Sequence, residues 1–222
     1  MNGLINVNGD SVTTLEIIFL TTMIMLLPSL LVMMTSFTRY VISFSFLRSA
    51  MGTQQSPPNI VLIGLALFLT LFTMGPVLDQ IREEAYEPYV EEQISQEEFI
   101  ERAKVPIKEF MIRNTKPNTL RMFCDLAHTP LSNEVTTGEA MKLPLRILVP
   151  AFMTCELQRA FMVGLLLYIP FMLIDIIVSS TLMAMGMIML PPSMISMPFK
   201  LLLFVSVNGW ELLFSSLVRG VL

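Results

Sequence analysis

The chain is poor in the residues that most enzymes and metalloproteins depend on. It has a single histidine, His128, and two cysteines, Cys124 and Cys155, which are too few for a disulfide framework or a zinc site. We expect His128 to lie in a loop and the cysteines to be unpaired, with one bridge as the alternative. The motifs HExxH and GxSxG are absent as well, so an intramembrane enzyme is the weakest functional class. We expect no catalytic residue, no metal and no cofactor.

Charged residues are scarce, at 14% of the chain, and the basic clusters typical of nucleic-acid-binding proteins are missing. No lysine or arginine precedes Arg39, whereas a typical signal peptide has a basic N-terminal region. Either the chain begins at a mature N-terminus or its first apolar segment is retained, and we favour retention. Apolar residues make up 54% of the sequence and the mean hydropathy is +0.67. This composition indicates a polytopic membrane protein.

Four apolar segments are long enough to span a bilayer, which takes roughly 20 residues in a helix. They are residues 15–34, 60–78, 160–182 and 199–217. The second is free of charge, and Gly75-Pro76 is predicted to end it. The last two contain or adjoin ionisable side chains, which normally face protein or water because lipid penalises them. These two segments therefore either pack against copies of the same chain or lie outside the bilayer.

The predicted fold is all-α, with few or no strands, and it divides into three regions. Residues 1–78 form N-terminal hydrophobic helices, residues 79–146 an acidic helical region, and residues 147–222 C-terminal hydrophobic helical hairpins. The acidic region holds 13 Asp and Glu against 9 Lys and Arg, a pattern typical of solvated helix faces. Because it follows two spans from an outside N-terminus, we place it outside the cytoplasm.

Local signals within the acidic region predict two successive helices. Ser95 and Glu98 have the spacing of a capping box, which opens a helix that we expect to end at about Ala103. Pro106 is predicted to start the next one.

The segment between the first two spans, residues 35–58, carries Arg39 and Arg48 and no acidic residue. The positive-inside rule places such a segment in the cytoplasm. Its apolar residues nevertheless recur at helical spacing. A helix lying against protein, with both arginines on one side, is therefore the alternative to a plain loop.

The most unusual stretch runs from Asp175 to Lys200. A first helix is predicted to carry methionines on two opposite faces, 183 with 187 and 185 with 189. Pro191 and Pro192 are predicted to end that helix, and Pro198 to sit in the first turn of the next. The tip of the resulting hairpin, 187–197, is either a loop packed in a core or a deformable constriction, because methionine adapts to irregular partners. The stretch contains six methionines: Met183, Met185, Met187, Met189, Met194 and Met197.

Four ionisable residues lie in or beside the C-terminal apolar segments. Glu156 and Arg159 are three positions apart and can pair on one helix face. Asp175 and Lys200 lie on the two arms of the hairpin and can pair across it or between subunits. Structural ion pairing is the simpler interpretation, and a proton or ion relay is the alternative.

Several motifs together resemble one known family. They are TSFTRYVISFSFLRSAMGTQQSPPN, KEFM, ELQRAF and GMIMLPP, and the resemblance covers almost the whole chain from Leu26 to Leu217. The pattern is similar to that of the flagellar biosynthesis FliP family, which has a sister family in virulence type III secretion. The N-terminal tail and the acidic region match loosely.

The resemblance implies a non-enzymatic channel subunit of the flagellar protein-export gate. It implies several copies, a pentamer in the family, that assemble with FliQ and FliR into a helical channel for unfolded export substrates. It also implies a place in the bacterial cytoplasmic membrane and flagellar basal body, in contact with lipid, with much of the assembly on the periplasmic side. A small-solute or ion transporter is the alternative, although the halves of the chain show no convincing internal repeat.

The resemblance also assigns one functional element. The family's methionine gasket falls on Met187, Ile188 and Met189, where this chain has isoleucine at a position that is often methionine. Near the C-terminus the family commonly has aspartate before Gly-Trp, and this chain has Asn208. The first departure keeps the gasket apolar, and the second replaces a charged side chain with a neutral one.

Overall fold

We describe a computed structural model of the chain. The described residues are 4–7, 10–13, 18, 21–22, 25, 29, 32–130, 136–187 and 189–221. Within them the regular secondary structure is helical apart from one hairpin near the N-terminus, in which β1 (Leu4–Val7) pairs antiparallel with β2 (Asp10–Thr13). The prediction of an all-α fold with few strands is confirmed.

Nine α-helices have both ends within the described residues. A single π-helical turn, Arg82–Tyr86, joins the second to the third without a break. The helices are α1 (Phe37–Met51), α2 (Asn59–Ile81), α3 (Glu87–Val90), α4 (Gln96–Arg113), α5 (Pro117–Leu126), α6 (Thr137–Lys142), α7 (Leu145–Ala184), α8 (Pro192–Ser206) and α9 (Gly209–Arg219).

Within the described residues, two helices are long and apolar enough to cross a membrane, or three if α8 and α9 together form one bent span. One is the continuous helix Asn59–Val90, formed by α2, the π-helical turn and α3, and the other is the 40-residue α7. They contain the predicted spans 60–78 and 160–182. The predicted span 15–34 lies largely outside the described residues.

The predicted span 199–217 is not one straight helix. It is divided between α8 and α9, which meet at an angle of 64°. Asn208 stands at the bend with a φ of 51°, a left-handed conformation that asparagine tolerates better than most residues. The apolar segment 199–217 therefore consists of two helices with a bend between them.

Prolines interrupt these helices less than predicted. Pro76 lies inside α2, so Gly75-Pro76 does not end the second span. Pro106 lies inside α4, so the two helices predicted on either side of Ala103 are one. A proline inside a helix removes one backbone hydrogen bond, and packing can outweigh that cost: Pro106 is buried. The N-terminal signal of α4 is as predicted, since the Ser95 hydroxyl accepts a hydrogen bond from the Glu98 N–H.

Helix α1 is the centre of the core. Its buried side chains Tyr40, Phe44 and Leu47 pack between α2 and α7. Helix α7 contributes Leu148 and Phe152 to the same cluster. Gly52 ends α1 with a φ of 76°, a conformation that glycine adopts without steric cost. The segment predicted as a loop or a helix against protein is thus a core helix.

The acidic region packs on this core rather than standing apart from it. Helices α4 and α5 both contact α7, and α4 also contacts α2. Cys124 on α5 is buried and free, as is Cys155 on α7, and burial raises the pKa of the Cys124 thiol. His128 lies in the turn after α5.

Gly164 on α7 makes room for Phe46 of α1. The Phe46 ring fills the space above this glycine, between Phe161 and Tyr168, with ring centroids 5.1 and 6.1 Å away. A Cβ on residue 164 would lie 2.5 Å from Cγ and Cδ2 of Phe46. This position therefore has no room for a side chain unless Phe46 moves.

We expect Gly164→Ala to lower the thermal unfolding midpoint of the detergent-solubilised protein. Overpacking typically costs about 1–3 kcal/mol, which outweighs the gain in helix propensity of about 1 kcal/mol. The matched control is Gly64→Ala in α2, where an added Cβ would meet no atom within 4 Å. There the gain in helix propensity has no steric cost to offset it, so this substitution should raise the unfolding midpoint. Equal stabilisation by both substitutions would show that Phe46 does not fix this contact.

Candidate functional site

The hairpin between α7 and α8 is closed by a glycine, not by the proline pair. Gly186 has a φ of 75°, and its N–H donates to the Met183 carbonyl at 3.0 Å. The Met187 N–H donates to the Leu182 carbonyl at 3.0 Å. This pair of bonds is a Schellman motif, which ends a helix wherever glycine can adopt the left-handed conformation.

The prolines act on the second arm. Pro191 is the N-cap of α8 and Pro192 its first residue, while Pro198 lies inside that helix. The predictions that Pro191 and Pro192 end the first helix and that Pro198 starts the second are therefore wrong. A proline at the first helical position loses nothing, because its N–H would have no partner inside the helix.

The methionines of the turn face solvent in the single chain. Since α7 ends at Ala184, the predicted helical faces do not extend to Met187 and Met189. Met189 is 98% exposed and Met187 40%; Ile188 lies outside the described residues. The exposure of Met189 does not fit a loop packed into the core of its own chain.

Asp175 and Lys200 fasten the two arms of the hairpin together. Lys200 Nζ lies 2.6 Å from Asp175 Oδ2, and the Ser196 hydroxyl donates to Asp175 Oδ1 at 2.6 Å. Lys200 Nζ also donates to the Ala50 carbonyl at 3.1 Å. Ala50 belongs to the last turn of α1, where the helix dipole favours a positive charge. The pair therefore attaches the hairpin to the central helix.

We expect Lys200→Ala to loosen the hairpin, because it leaves Asp175 and the end of α1 without their cation. The cost should stay below the roughly 3–5 kcal/mol of a fully buried pair, since the Asp175 side chain is 42% exposed. Limited proteolysis of the hairpin measures this effect, with Lys104→Ala on the exposed surface as the matched control.

A second variant, Asp175→Ala, separates the structural role of the pair from a proton or ion relay. Reduced assembly of this variant supports the structural role, whereas normal assembly with lost secretion supports the relay.

A second, fully buried ion pair lies at the contact of α1 with α7. Arg39 Nε donates to Glu156 Oε2 at 2.8 Å, and a second guanidinium N–H donates to Oε1. The two side chains are 2% and 0% exposed. The predicted Glu156–Arg159 contact exists at 3.4 Å, but Arg39 is the main partner of Glu156.

Arg39 and two residues beside the pair, Arg159 and Tyr40, form hydrogen bonds to three further parts of the chain. Arg39 Nη1 donates to the Gly220 carbonyl at 2.7 Å, just after α9. Arg159 Nη1 donates to Asn114 Oδ1 at 3.0 Å, at the end of α4. Beside Arg39, burial raises the pKa of Tyr40, whose hydroxyl donates to Thr73 Oγ1 in α2 at 3.2 Å.

Sequence reasoning missed this pair. Arg39 was expected in the cytoplasm on the same side of a helix as Arg48, yet nine residues at 3.6 per turn separate them by about half a turn. Arg48 instead bonds to Asn59 and Pro57 at the start of α2. The available signal was an isolated arginine in one apolar stretch and an isolated glutamate in another.

The hairpin encloses apolar space rather than chemically active groups. A cleft of about 430 Å³ between its arms is lined by apolar side chains and one threonine, among them Ile177, Met185 and Phe199. Within the described residues no group of three His, Cys, Asp or Glu side chains could hold a metal ion. The arrangement is suited to packing and sealing.

Comparison with known proteins places the sequence in one family. The FliP family profile matches residues 20–217. The chain is 48% identical to the flagellar biosynthetic protein FliP of Aquifex aeolicus, over 96% of this chain and 87% of that one. It is 50% identical to the protein of that name from Pectobacterium carotovorum, over 96% and 81%. For the FliP protein of Bacillus subtilis the identity is 45%, over 99% and 100%. On this evidence the chain belongs to the FliP family.

Proposed function

We propose that the chain is a channel subunit of the flagellar protein-export gate, and that the turn at Met187–Met189 seals the channel. The observation that carries the proposal is the combination of a fixed hairpin with an exposed tip. Asp175 and Lys200 hold the arms, while Met189 at the turn has almost no contact with its own chain. A methionine held at a fixed place without intramolecular contacts is available to partners or cargo.

The exposed apolar faces of the hairpin support assembly from several copies. Most large side chains on the outer side of α7 are 50–60% exposed, including Leu165, Ile169, Leu173 and Ile176. In one ring, these faces would pack against neighbouring copies and the turns would meet near the axis. We propose five copies together with FliQ and FliR, part of the assembly lying on the periplasmic side of the cytoplasmic membrane.

Sealing follows from the chemistry of the turn. A ring of apolar side chains can exclude water and ions by dewetting. Methionine adds compliance, because its unbranched chain fits many shapes. Unfolded polypeptides of varied sequence could therefore pass a ring that stays closed to ions when empty.

The size of the purified particle tests the proposal. In mild detergent, expressed with and without FliQ and FliR, we expect a large particle of several copies and no stable monomer. Mass photometry gives the copy number directly. A monomer or dimer that remains stable in either preparation would contradict the gate and favour the small-solute transporter.

A further inference from the structure

A second surface, distant in sequence from the hairpin, has the composition of a docking site. The continuous helix Asn59–Val90 ends in three apolar side chains on one face, Tyr86, Tyr89 and Val90, at the i, i+3 and i+4 positions. Ile100 of α4 directly follows Phe99, whose ring lies against the ring of Tyr89. All four are 40–59% exposed, and we call them the tyrosine surface.

Contacts within the chain fix the conformation of the tyrosine surface in the absence of a partner. The Tyr89 ring lies against Phe99 of α4, with centroids 5.1 Å apart. Arg102 of α4 reaches back to the Glu84 carbonyl at 3.4 Å. The π-helical turn Arg82–Tyr86 begins directly before it, and such turns are frequent at functional sites. An ordered surface loses little entropy on binding, which favours affinity.

Acidic residues flank the tyrosine surface along the sequence. Residues 82–101 contain eight glutamates and one arginine. Three of the glutamates form salt bridges, with Arg82, Arg102 and Lys104. In the part of the chain that the structure describes, the other five form none: Glu83, Glu84, Glu91, Glu92 and Glu97. The surface thus keeps an uncompensated negative charge around exposed aromatic rings.

The negative charge distinguishes three possible partners: an anionic membrane, a second copy of this surface, and a basic segment of another protein. Membranes rich in anionic lipid would be repelled by the glutamates, although tyrosine itself suits a membrane interface. A second acidic surface of the same kind would be repelled as well. A protein segment that carries lysine or arginine beside an apolar anchor is complementary in both charge and polarity.

We propose that the tyrosine surface binds a basic, amphipathic segment of another protein, with its apolar side chains against Tyr86 and Tyr89 and its cations among the glutamates. Tyrosine is enriched at the energetic centres of protein interfaces. The proposal does not rest on the gate function, because it concerns a different surface.

Photo-cross-linking in the intact assembly tests the proposal. A benzophenone amino acid replaces Tyr89 in the full chain in cells, and the cross-linked peptide is identified by mass spectrometry. Val90 is the second insertion site if the Tyr89 variant does not accumulate. Native gels monitor assembly separately, so a failed gate hypothesis does not affect the result. The expected adduct is a segment of another protein with net positive charge and apolar residues.

Charge reversal supplies the matched comparison. Glu83→Lys with Glu91→Lys should reduce the yield of that adduct several-fold. Glu109→Lys with Asp125→Lys alters two exposed carboxylates elsewhere in the acidic region and should leave the yield unchanged. A lipid adduct, an adduct with another copy of this chain, an acidic peptide, no adduct, or equal yields in both variants would each overturn the proposal.

Discussion

Replacing Glu156 with glutamine is expected to destabilise the protein more than any other single substitution discussed above. The variant leaves the Arg39 guanidinium buried without its counter-charge, and breaking a buried pair in this way typically costs about 3–5 kcal/mol. A whole domain is commonly stable by only about 5–15 kcal/mol. We therefore expect strongly reduced amounts of folded protein in membranes, measured by immunoblot and by thermal unfolding after solubilisation.

Two controls separate the pair from a general effect of lost charge. Glu98→Gln removes the partner of Arg102 on the exposed face of α4, where such a pair contributes only about 0.3–0.5 kcal/mol. Arg39→Met combined with Glu156→Met removes both charges, and well-packed apolar replacements of a buried pair are often neutral. The double variant should accumulate to a higher level in membranes than a variant that carries only Arg39→Met or only Glu156→Met. A stable Glu156→Gln protein would contradict the structural role of the pair.

Replacing Met187 and Met189 together with alanine is expected to have the largest effect on function. If several copies bring these side chains together, their truncation widens the apolar ring and weakens its exclusion of water and ions. The chain should still fold, because Met189 makes almost no contact within it, and assembly should persist because the proposed contacts between copies lie on α7. The measurement is ion conductance of the purified assembly in planar bilayers, supported by slowed growth on expression.

The chain provides a close control for this experiment. Met122 is 46% exposed but lies on α5 in the acidic region, outside the hairpin. Its replacement with alanine should leave conductance at the parental level. Leucine at 187 and 189 should keep the seal yet slow bulky cargo, because a branched side chain adapts less well than methionine. An assembled double-alanine variant without added conductance would show that these residues are not the seal.

The sequence was most informative where one element determines its own structure. The apolar segments within α2 and α7, the cap of α4 at Ser95 and the arms of the hairpin follow from composition and local hydrogen bonding. Predicted helix ends failed at prolines, because tertiary packing outweighs a lost backbone bond at Pro76 and Pro106. Gly186 was overlooked as a helix end because the nearby proline pair is the more conspicuous signal.

Partners distant in sequence were harder to predict. Asp175 and Lys200 could be paired in advance because a hairpin brings its two arms together. Nothing local indicates that Arg39 faces Glu156, since that contact depends on how α1 lies across α7. The same holds for Phe46 above Gly164, where one glycine in a long apolar helix looks unremarkable until its neighbour is known.

The separation of Arg39 from Glu156 also has a consequence for biosynthesis. The 117 residues between them take roughly 6–23 seconds to translate at about 5–20 residues per second. Throughout that interval the emerging chain holds an arginine whose carboxylate partner does not yet exist, and Gly220 leaves the ribosome later still. The centre of the fold therefore assembles late, after most of the chain has been made. A nascent chain stalled before α7 should remain a substrate for membrane proteases.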